Sequence, residues 1–505
     1  MDDIDKLKQD VRDGLIDPAR LVDLLASTQR QLHTAQQQLQ AAQQRIADLE
    51  KQLSGAATTK LDEPYSLNAE EQRQQQRGRK KRRRRQKNRP GRITTAQKIA
   101  LAERTVKVFP DGVPPSACHL SHTRPIWRLE DGRAVLIAYE VYRGPHNQYG
   151  QIPGALGRSE CGLEIIIAIA YQVHVVGLSF DKVCLMLNFF QNLRLRKSQV
   201  DALLRQLARH WEEEFETLCT LLANSAVVHA DETSWSLKSV WAFLSEKARV
   251  LFFGVNKNAD TLKAILDPAT FAGLVISDNA AVYAHFTQSQ KCWAHLLRKA
   301  IKLTLHDPDN ADYRNFTDRL LAIYHEACRS QGDGRLSEAG RVRKVEVLEG
   351  AILSLCEPWW LVGGPPLEGL AHDFQLLIHE VMRLMLTQQL FTFVTAKPAE
   401  QPNGKVQPVS GTNNEAERVL RGAAQARNTG RTSKTLSGAR RQTILTSVFE
   451  SLRVYLAEYT IWSVLTEIQR WATAGQSCFA ELLAKLQITP PSKSTLDVVF
   501  SPSSG

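Results

Sequence analysis

The sequence has no Cys-x-x-Cys pair, no apolar start and no apolar run long enough to cross a bilayer. Its eight cysteines (Cys118, Cys161, Cys184, Cys219, Cys292, Cys328, Cys356 and Cys478) are scattered over 505 residues. A dense disulfide framework is excluded, and reduced thiols in a cytosolic chain are expected. Cys118, His119 and His122 stand close enough to suggest a metal, but no fourth ligand is nearby, so ordinary loop residues are the simpler reading. The opening MDDIDKLKQD is acidic, unlike a signal peptide. The most apolar run, Ile165 to Val176, is too short for a membrane span and carries Gln172 and His174. A cytoplasmic protein with no membrane partner is expected.

Acidic residues are nearly missing from one segment. Between Glu71 and Arg92, twelve Lys and Arg stand against one acid, and this stretch supplies the whole formal net charge of +11. The run KKRRRRQKNRPGR, with Arg82, Arg83, Arg84 and Arg85 at its centre, can neutralise DNA phosphates. With about six contacts, log K would fall with log salt at a slope of roughly −5. A solvated charge tail is the alternative. A duplex-binding arm without sequence specificity is the better reading.

Ahead of the arm, Leu25, Leu32, Leu39, Ile46 and Leu53 repeat every seven residues, with Thr28, Ala35, Ala42 and Leu49 in the second apolar position. Residues 1–54 therefore read as N-terminal helices and a coiled coil whose small Ala and Thr residues weaken the seam. Residues 55–98 have few apolar side chains to bury and read as a disordered basic linker. Residues 99–159 read as a small irregular domain, and 160–224 as a helical DNA-binding region. In that region Ser179 can cap a helix through Phe190, and Ser198 a second one through Leu222.

After that the period changes. Ala226 to Ala230 is a short apolar run leading into Asp231-Glu232-Thr233. Val240–Leu244 and Arg249–Val255 read as a strand pair, Thr261–Leu266 as a helix, and Gly273–Ser277 as a buried strand ending at Asp278. This is the element order of an RNase H-like α/β core, a mixed sheet with flanking helices, in which the two aspartates stand side by side. Two Mg²⁺ ions roughly 3.5–4 Å apart can drive phosphodiester cleavage without a covalent intermediate. Hard cations require carboxylate oxygens, so a third acid must arrive from elsewhere. The candidates lie in Thr412 to Arg421, where Ala416, Leu420, Ala423 and Ala424 give a helical apolar face. Glu417 and Arg421 are one turn apart, so the acid can bind metal while Arg421 faces phosphate. Glu415 is the rival, two residues away and pointing nearly to the opposite side; the residues themselves leave the choice open.

The set His229-Ala230-Asp231-Glu232-Thr233, Asp278, Cys292-Trp293-Ala294-His295 with Arg298-Lys299, and Asn413-Asn414-Glu415-Ala416-Glu417-Arg418 with Arg421 and Gly430-Arg431 resembles the DDE transposases of the bacterial insertion-sequence sixty-six family, of the transposase-subunit type. The resemblance covers about residues 160 to 450. It implies Asp231, Asp278 and Glu417 as catalytic and metal-binding triad, Mg²⁺ as cofactor with Mn²⁺ able to substitute, and Arg418, Arg421 and Arg431 as DNA contacts. It also implies terminal inverted repeats and target DNA as double-stranded partners, a homo-oligomer, accessory transposition proteins and a nucleoid-associated location. Members carry a four-cysteine zinc segment where this chain has only Cys118 and Cys161, so zinc is doubtful there. Their tyrosine after the second aspartate is displaced here to Tyr283.

The core then divides into residues 225–300, a helical insertion at 301–396, and a return at 397–455 carrying the third acid; 456–505 read as C-terminal helices and a disordered tail. Arg418, Arg421, Arg427, Arg431, Lys434, Arg440 and Arg441 form a second basic excess. A non-catalytic DNA-binding oligomer derived from a transposase is the alternative function, and an RNase H-like nuclease on another nucleic acid a third.

Overall fold

The computed structural model describes residues 93–236, 238–360 and 368–501, with isolated helical positions between residues 12 and 40. The chain divides into two compact units, Met1–Lys81 and Arg82–Gly505, and the architecture below belongs to the second. The heptad positions from Leu25 to Leu53 and the basic arm with Arg82, Arg83, Arg84 and Arg85 lie outside the described residues. Among the described residues, no helix is long and apolar enough to cross a membrane.

Helix α1 (Thr95–Ala100) opens on a capping box between Thr94 and Gln97. It is followed by β1 (Arg104–Val108), β2 (His119–Glu130) and β3 (Arg133–Arg143), which form a three-stranded sheet in the order β1-β3-β2. The stretch expected to be irregular is thus a sheet. Its signal is Asp131-Gly132: both residues have positive φ, 48° and 79°, as a two-residue hairpin turn between twisted strands requires. Strand β2 carries His119 and His122, and they form no metal-holding group with Cys118 among the described residues. Buried Glu164 ties this sheet to the next helix, accepting from Leu129 N–H at 3.1 Å and pairing with Arg128 at 2.8 Å.

Four helices follow: α2 (Leu163–His174), α3 (Phe180–Gln191), α4 (Lys197–His210) and α5 (Glu212–Ala223). Ser179 caps α3 as its position suggests. The second helix starts one residue earlier than a Ser198 cap would allow, and it breaks at Trp211 instead of running through. Trp211 leaves helical geometry (φ −106°, ψ 10°) while its ring is buried. The chain restarts with Glu212, Glu213 and Glu214 in the first turn of α5, where carboxylates meet the positive end of the helix dipole.

The central sheet comprises β4 (Val227–Ser234), β5 (Ser239–Ser245), β6 (Arg249–Val255), β7 (Leu274–Ser277) and β8 (Ser289–Lys291), in the order β6-β5-β4-β7-β8, with α6 (Ala259–Ile265) between β6 and β7. The first three strands are antiparallel; β7 and β8 join in parallel. Side-chain alternation sorts the strands into two faces. Val228, Ala230, Trp241, Phe243, Val250, Phe252 and Val275 share a core with helices α2, α4 and α5. On the other face, Val240, Ala242, Leu251 and Phe253 meet Leu420 and Ala423, while Val227, Leu274 and Ile276 meet Trp293 and the helices that follow it.

Those helices are α7 (Trp293–His306), α8 (Ala311–Gly332), α9 (Glu338–Trp360) and α10 (Gly369–Leu386). After a small hairpin pairing Ala399–Glu400 with Val406–Gln407, α11 (Asn414–Asn428), α12 (Leu436–Tyr455), α13 (Ile461–Ala474), α14 (Cys478–Lys485) and α15 (Thr495–Phe500) complete the fold.

Strand β6 is an edge, and its outward amides need acceptors. Helix α12 supplies them from one stripe: Arg249, Leu251 and Phe253 N–H donate to Ser451, Ser447 and Thr443 hydroxyls, each at 2.9 Å. Ser447→Ala leaves the buried Leu251 amide unpaired. We expect a loss of about 1–3 kcal/mol, read as a lower urea midpoint at unchanged slope; an unchanged midpoint would show that water replaces the hydroxyl.

Candidate active site

Asp231 lies within β4 instead of at its end, two residues past the last residue pair that β4 shares with β7, His229↔Ile276. Extending that parallel register by two residues sets Asp231 beside Asp278. Alternation puts Asp231 on the face of Val227 and His229, below α11, and Glu232 on the opposite face. Asp278 closes β7 by accepting the Ala280 N–H at 3.0 Å through Oδ1. Burial, then the charges of Glu232, Asp278 and Glu417, push the Asp231 carboxyl up to about 7, against the Glu232 N–H that donates to it at 3.0 Å. The acids are thus near enough to repel one another, which is the electrostatic signature of a cluster awaiting positive charge.

The third carboxylate comes from α11. Asn413, fully buried at its N-terminus, donates its side-chain N–H to Ala230 O at 2.8 Å and its backbone N–H to Cys292 Sγ at 3.1 Å. That residue pins the helix both to β4 and to the start of α7. Gly411 precedes it where a Cβ would stand 3.0 Å from the Phe393 ring, and its carbonyl accepts from Trp293 N–H at 3.0 Å. Pinned in this way, Glu417 falls on the Asp231 side. Its Oε1 accepts from Arg298 at 2.6 Å and lies 3.7 Å from His295 Nδ1. Glu415 instead pairs with Arg249, and its charge acts on buried His229, whose imidazole burial holds below its ordinary range. Two residues apart on the helix, the two glutamates serve different neighbours.

Beneath the aspartates, on the other sheet face, lies a network to which the sequence pattern alone gives no role. Glu232 has a side chain only 2% exposed; it accepts from Tyr283 OH and pairs with Lys257 at 2.6 Å. That contact is the main cause of the raised Lys257 ammonium. Lys291 Nζ donates to Ser277 Oγ at 3.0 Å and sits 5.6 Å from the Tyr283 ring centre. Burial lowers it to about 8, with Asp278 opposing. Period-2 alternation around Asp231 was the available signal for Glu232; Lys291, in a three-residue strand, left none.

The insertion reaches this site. Asn279, directly after Asp278, donates to Glu380 at 2.8 Å and accepts from Arg383 at 2.8 Å, both on α10, while Glu380 also holds Lys299 at 2.5 Å. Trp293 is a core residue, buried with its Nε1 donating to Leu390 O at 2.7 Å. Of the basic residues near Glu417, Arg418 and Arg421 are exposed and have no ion pair among the described residues. Arg431 is exposed and donates to Gly177 O at 3.0 Å; Arg427 holds Ser234 O at 3.0 Å. Arg440 and Arg441 are taken up by Asp497 at 2.8 Å and Asp201 at 2.5 Å, so two charges of the apparent excess are spent on packing.

Neighbouring strands that deliver acids to one face beneath a third acid on a crossing helix define an α/β protein with a carboxylate-lined site. The family model described as Transposase IS66 family matches residues 158–441, more than half of the chain, and the chain belongs to that family. The match spans the central sheet, the insertion and α11, and stops within α12. No curated protein matches the chain.

Proposed function

We propose that the chain is a DNA transposase that cuts and joins strands at the ends of an insertion sequence through Asp231, Asp278 and Glu417. The observation that carries this reading is the mutual proximity of the three carboxylates, registered in the raised Asp231 carboxyl. The strand order β6-β5-β4-β7-β8, with antiparallel strands followed by parallel ones, supports an RNase H-like core. The donor set is all oxygen at the aspartate pair and fits Mg²⁺ or Mn²⁺. Two such ions, when bound, activate the attacking oxygen and stabilise the leaving one.

The protein's own groups do the positioning. Parallel register fixes the two aspartates at one level, the Ala280 N–H orients Asp278, and Asn413 sets the height of Glu417 above β4. Arg418 and Arg421, free in solvent, are placed to draw in backbone phosphate, with Arg431 further along; these are positioning contacts without sequence content. The basic arm with Arg82, Arg83, Arg84 and Arg85 is assigned to tethering duplex DNA, and the heptad segment to a homo-oligomer that pairs two ends.

Incubating the purified protein with a labelled duplex bearing an element end tests the reading. Strand cuts that require Mg²⁺ and stop on chelation are expected. Tight, specific binding with no divalent-dependent cut would favour the non-catalytic oligomer instead, and preferential cutting of an RNA–DNA hybrid would favour the nuclease.

A further inference from the structure

Cys292, His295 and Glu417 bring a thiol sulfur, an imidazole nitrogen and a carboxylate oxygen within 4.8 Å of one another. Cys292 immediately precedes α7 and His295 lies in its first turn, so the three-residue spacing puts both on one side of the helix. The sulfur is buried and already oriented by the Asn413 N–H. His295 Nδ1 is buried without a hydrogen-bond partner, and its 3.7 Å separation from Glu417 Oε1 is too long for one. An imidazole nitrogen with no donor or acceptor, facing a sulfur and a carboxylate, is unexplained by packing alone.

We propose that Cys292, His295 and Glu417 form a binding site for a thiophilic divalent cation of the zinc class, with a fourth position open to water or a phosphate oxygen. Tetrahedral sites hold sulfur at about 2.3 Å and nitrogen or oxygen at about 2.0–2.2 Å, which sets ligand atoms roughly 3.3–3.7 Å apart. The observed imidazole-to-carboxylate spacing is at the edge of that range before any rotamer moves. The Arg298 guanidinium now on the same carboxylate oxygen belongs to a side chain 56% exposed, which can swing into solvent when a cation replaces it. Sulfur and imidazole select a soft ion over Mg²⁺, so the corner differs in kind from the aspartate pair. It shares Glu417 with the triad proposed above. An ion seated there draws that carboxylate toward α7 and away from Asp231.

Co²⁺, a coloured substitute for zinc, provides the test on metal-free full-length protein without DNA. One equivalent should bind with an intense near-ultraviolet thiolate-to-metal band. Cys292→Ser should abolish the band, and His295→Gln should weaken Co²⁺ binding at least tenfold while the thermal melt of each metal-free variant stays cooperative. Asp231→Asn should keep the band in full even where cleavage is lost, which separates this site from the triad. A wild-type spectrum without a thiolate band, or a band that survives in Cys292→Ser, overturns the proposal and leaves the triad reading standing.

Discussion

Glu417→Gln is expected to lower Mg²⁺-dependent cleavage of an end-bearing duplex by at least about a thousandfold, while Glu415→Gln leaves cleavage by the folded protein within a few-fold of wild type. A carboxylate that helps hold a catalytic divalent cation contributes several kcal/mol to the transition state, and about 4 kcal/mol corresponds to a thousandfold in rate. Glutamine keeps the shape and the bond to Arg298 but removes the charge. Glu417 is the helix acid whose charge reaches Asp231; Glu415 is bound to Arg249, itself largely buried. Loss of Glu415 should therefore appear as instability, about 1–3 kcal/mol from a cation left without its partner, and not as lost chemistry. Single-turnover cleavage, normalised to folded protein by circular dichroism, distinguishes the two. Equal and large losses in both variants would remove Glu417 from its assigned role.

Much of this arrangement was legible in the residues because it obeys short-range periodicity. The strand pair at Val240–Leu244 and Arg249–Val255, the apolar strand before Asp278 and the Ala416, Leu420, Ala423 face were all visible as alternation or helical repeat, and the structure has strands and a helix there. What escaped has physical reasons. The break at Trp211 comes from burying one large ring, a tertiary demand that overrides a continuous helical pattern. The hairpin at Asp131-Gly132 sat in a stretch too polar at its ends to suggest a sheet. The Thr443, Ser447, Ser451 stripe did carry a four-residue spacing, but hydroxyls at that spacing acquire meaning only when an edge strand lies alongside.

The site shows the same division. The period of two around Asp231 implies that its neighbour Glu232 must face the other way, yet nothing local says that Tyr283 and Lys257 will meet it there. The choice between Glu415 and Glu417 could not be read from a helix alone, because both lie in the first turn. It is set by Asn413, whose side chain reaches across to Ala230, and by Arg249 at the start of β6, which takes up Glu415. Charge counting misled where arginines are structural: Arg440 and Arg441 add to a basic excess on paper but are neutralised by Asp497 and Asp201.

Asp231→Asn is expected to stabilise the metal-free protein above pH 7, by up to about 4 kcal/mol, and to leave it unchanged near pH 4. The folded carboxyl titrates at about 7 and the unfolded one near its ordinary value of 3.8. Between those values the folded state retains a proton that the unfolded state has lost, so wild-type stability falls as pH rises from about 4 to about 7 and is lowest beyond. The three-unit difference sets the upper limit at about 1.36 kcal/mol per unit, and sharing of that proton with Asp278 and Glu417 spreads the change over a wider range. Asparagine cannot ionise and escapes the penalty. Divalent cation should act in the opposite sense: Mg²⁺ compensates the cluster's negative charge and raises the wild-type urea midpoint at pH 8, while the variant, one ligand short, responds less. Urea midpoints at pH 5 and pH 8, with and without Mg²⁺, measure all of this at once. If wild type and Asp231→Asn fall in parallel with pH, the three acids do not repel one another in solution, and the electrostatic reason for placing cations among them is gone.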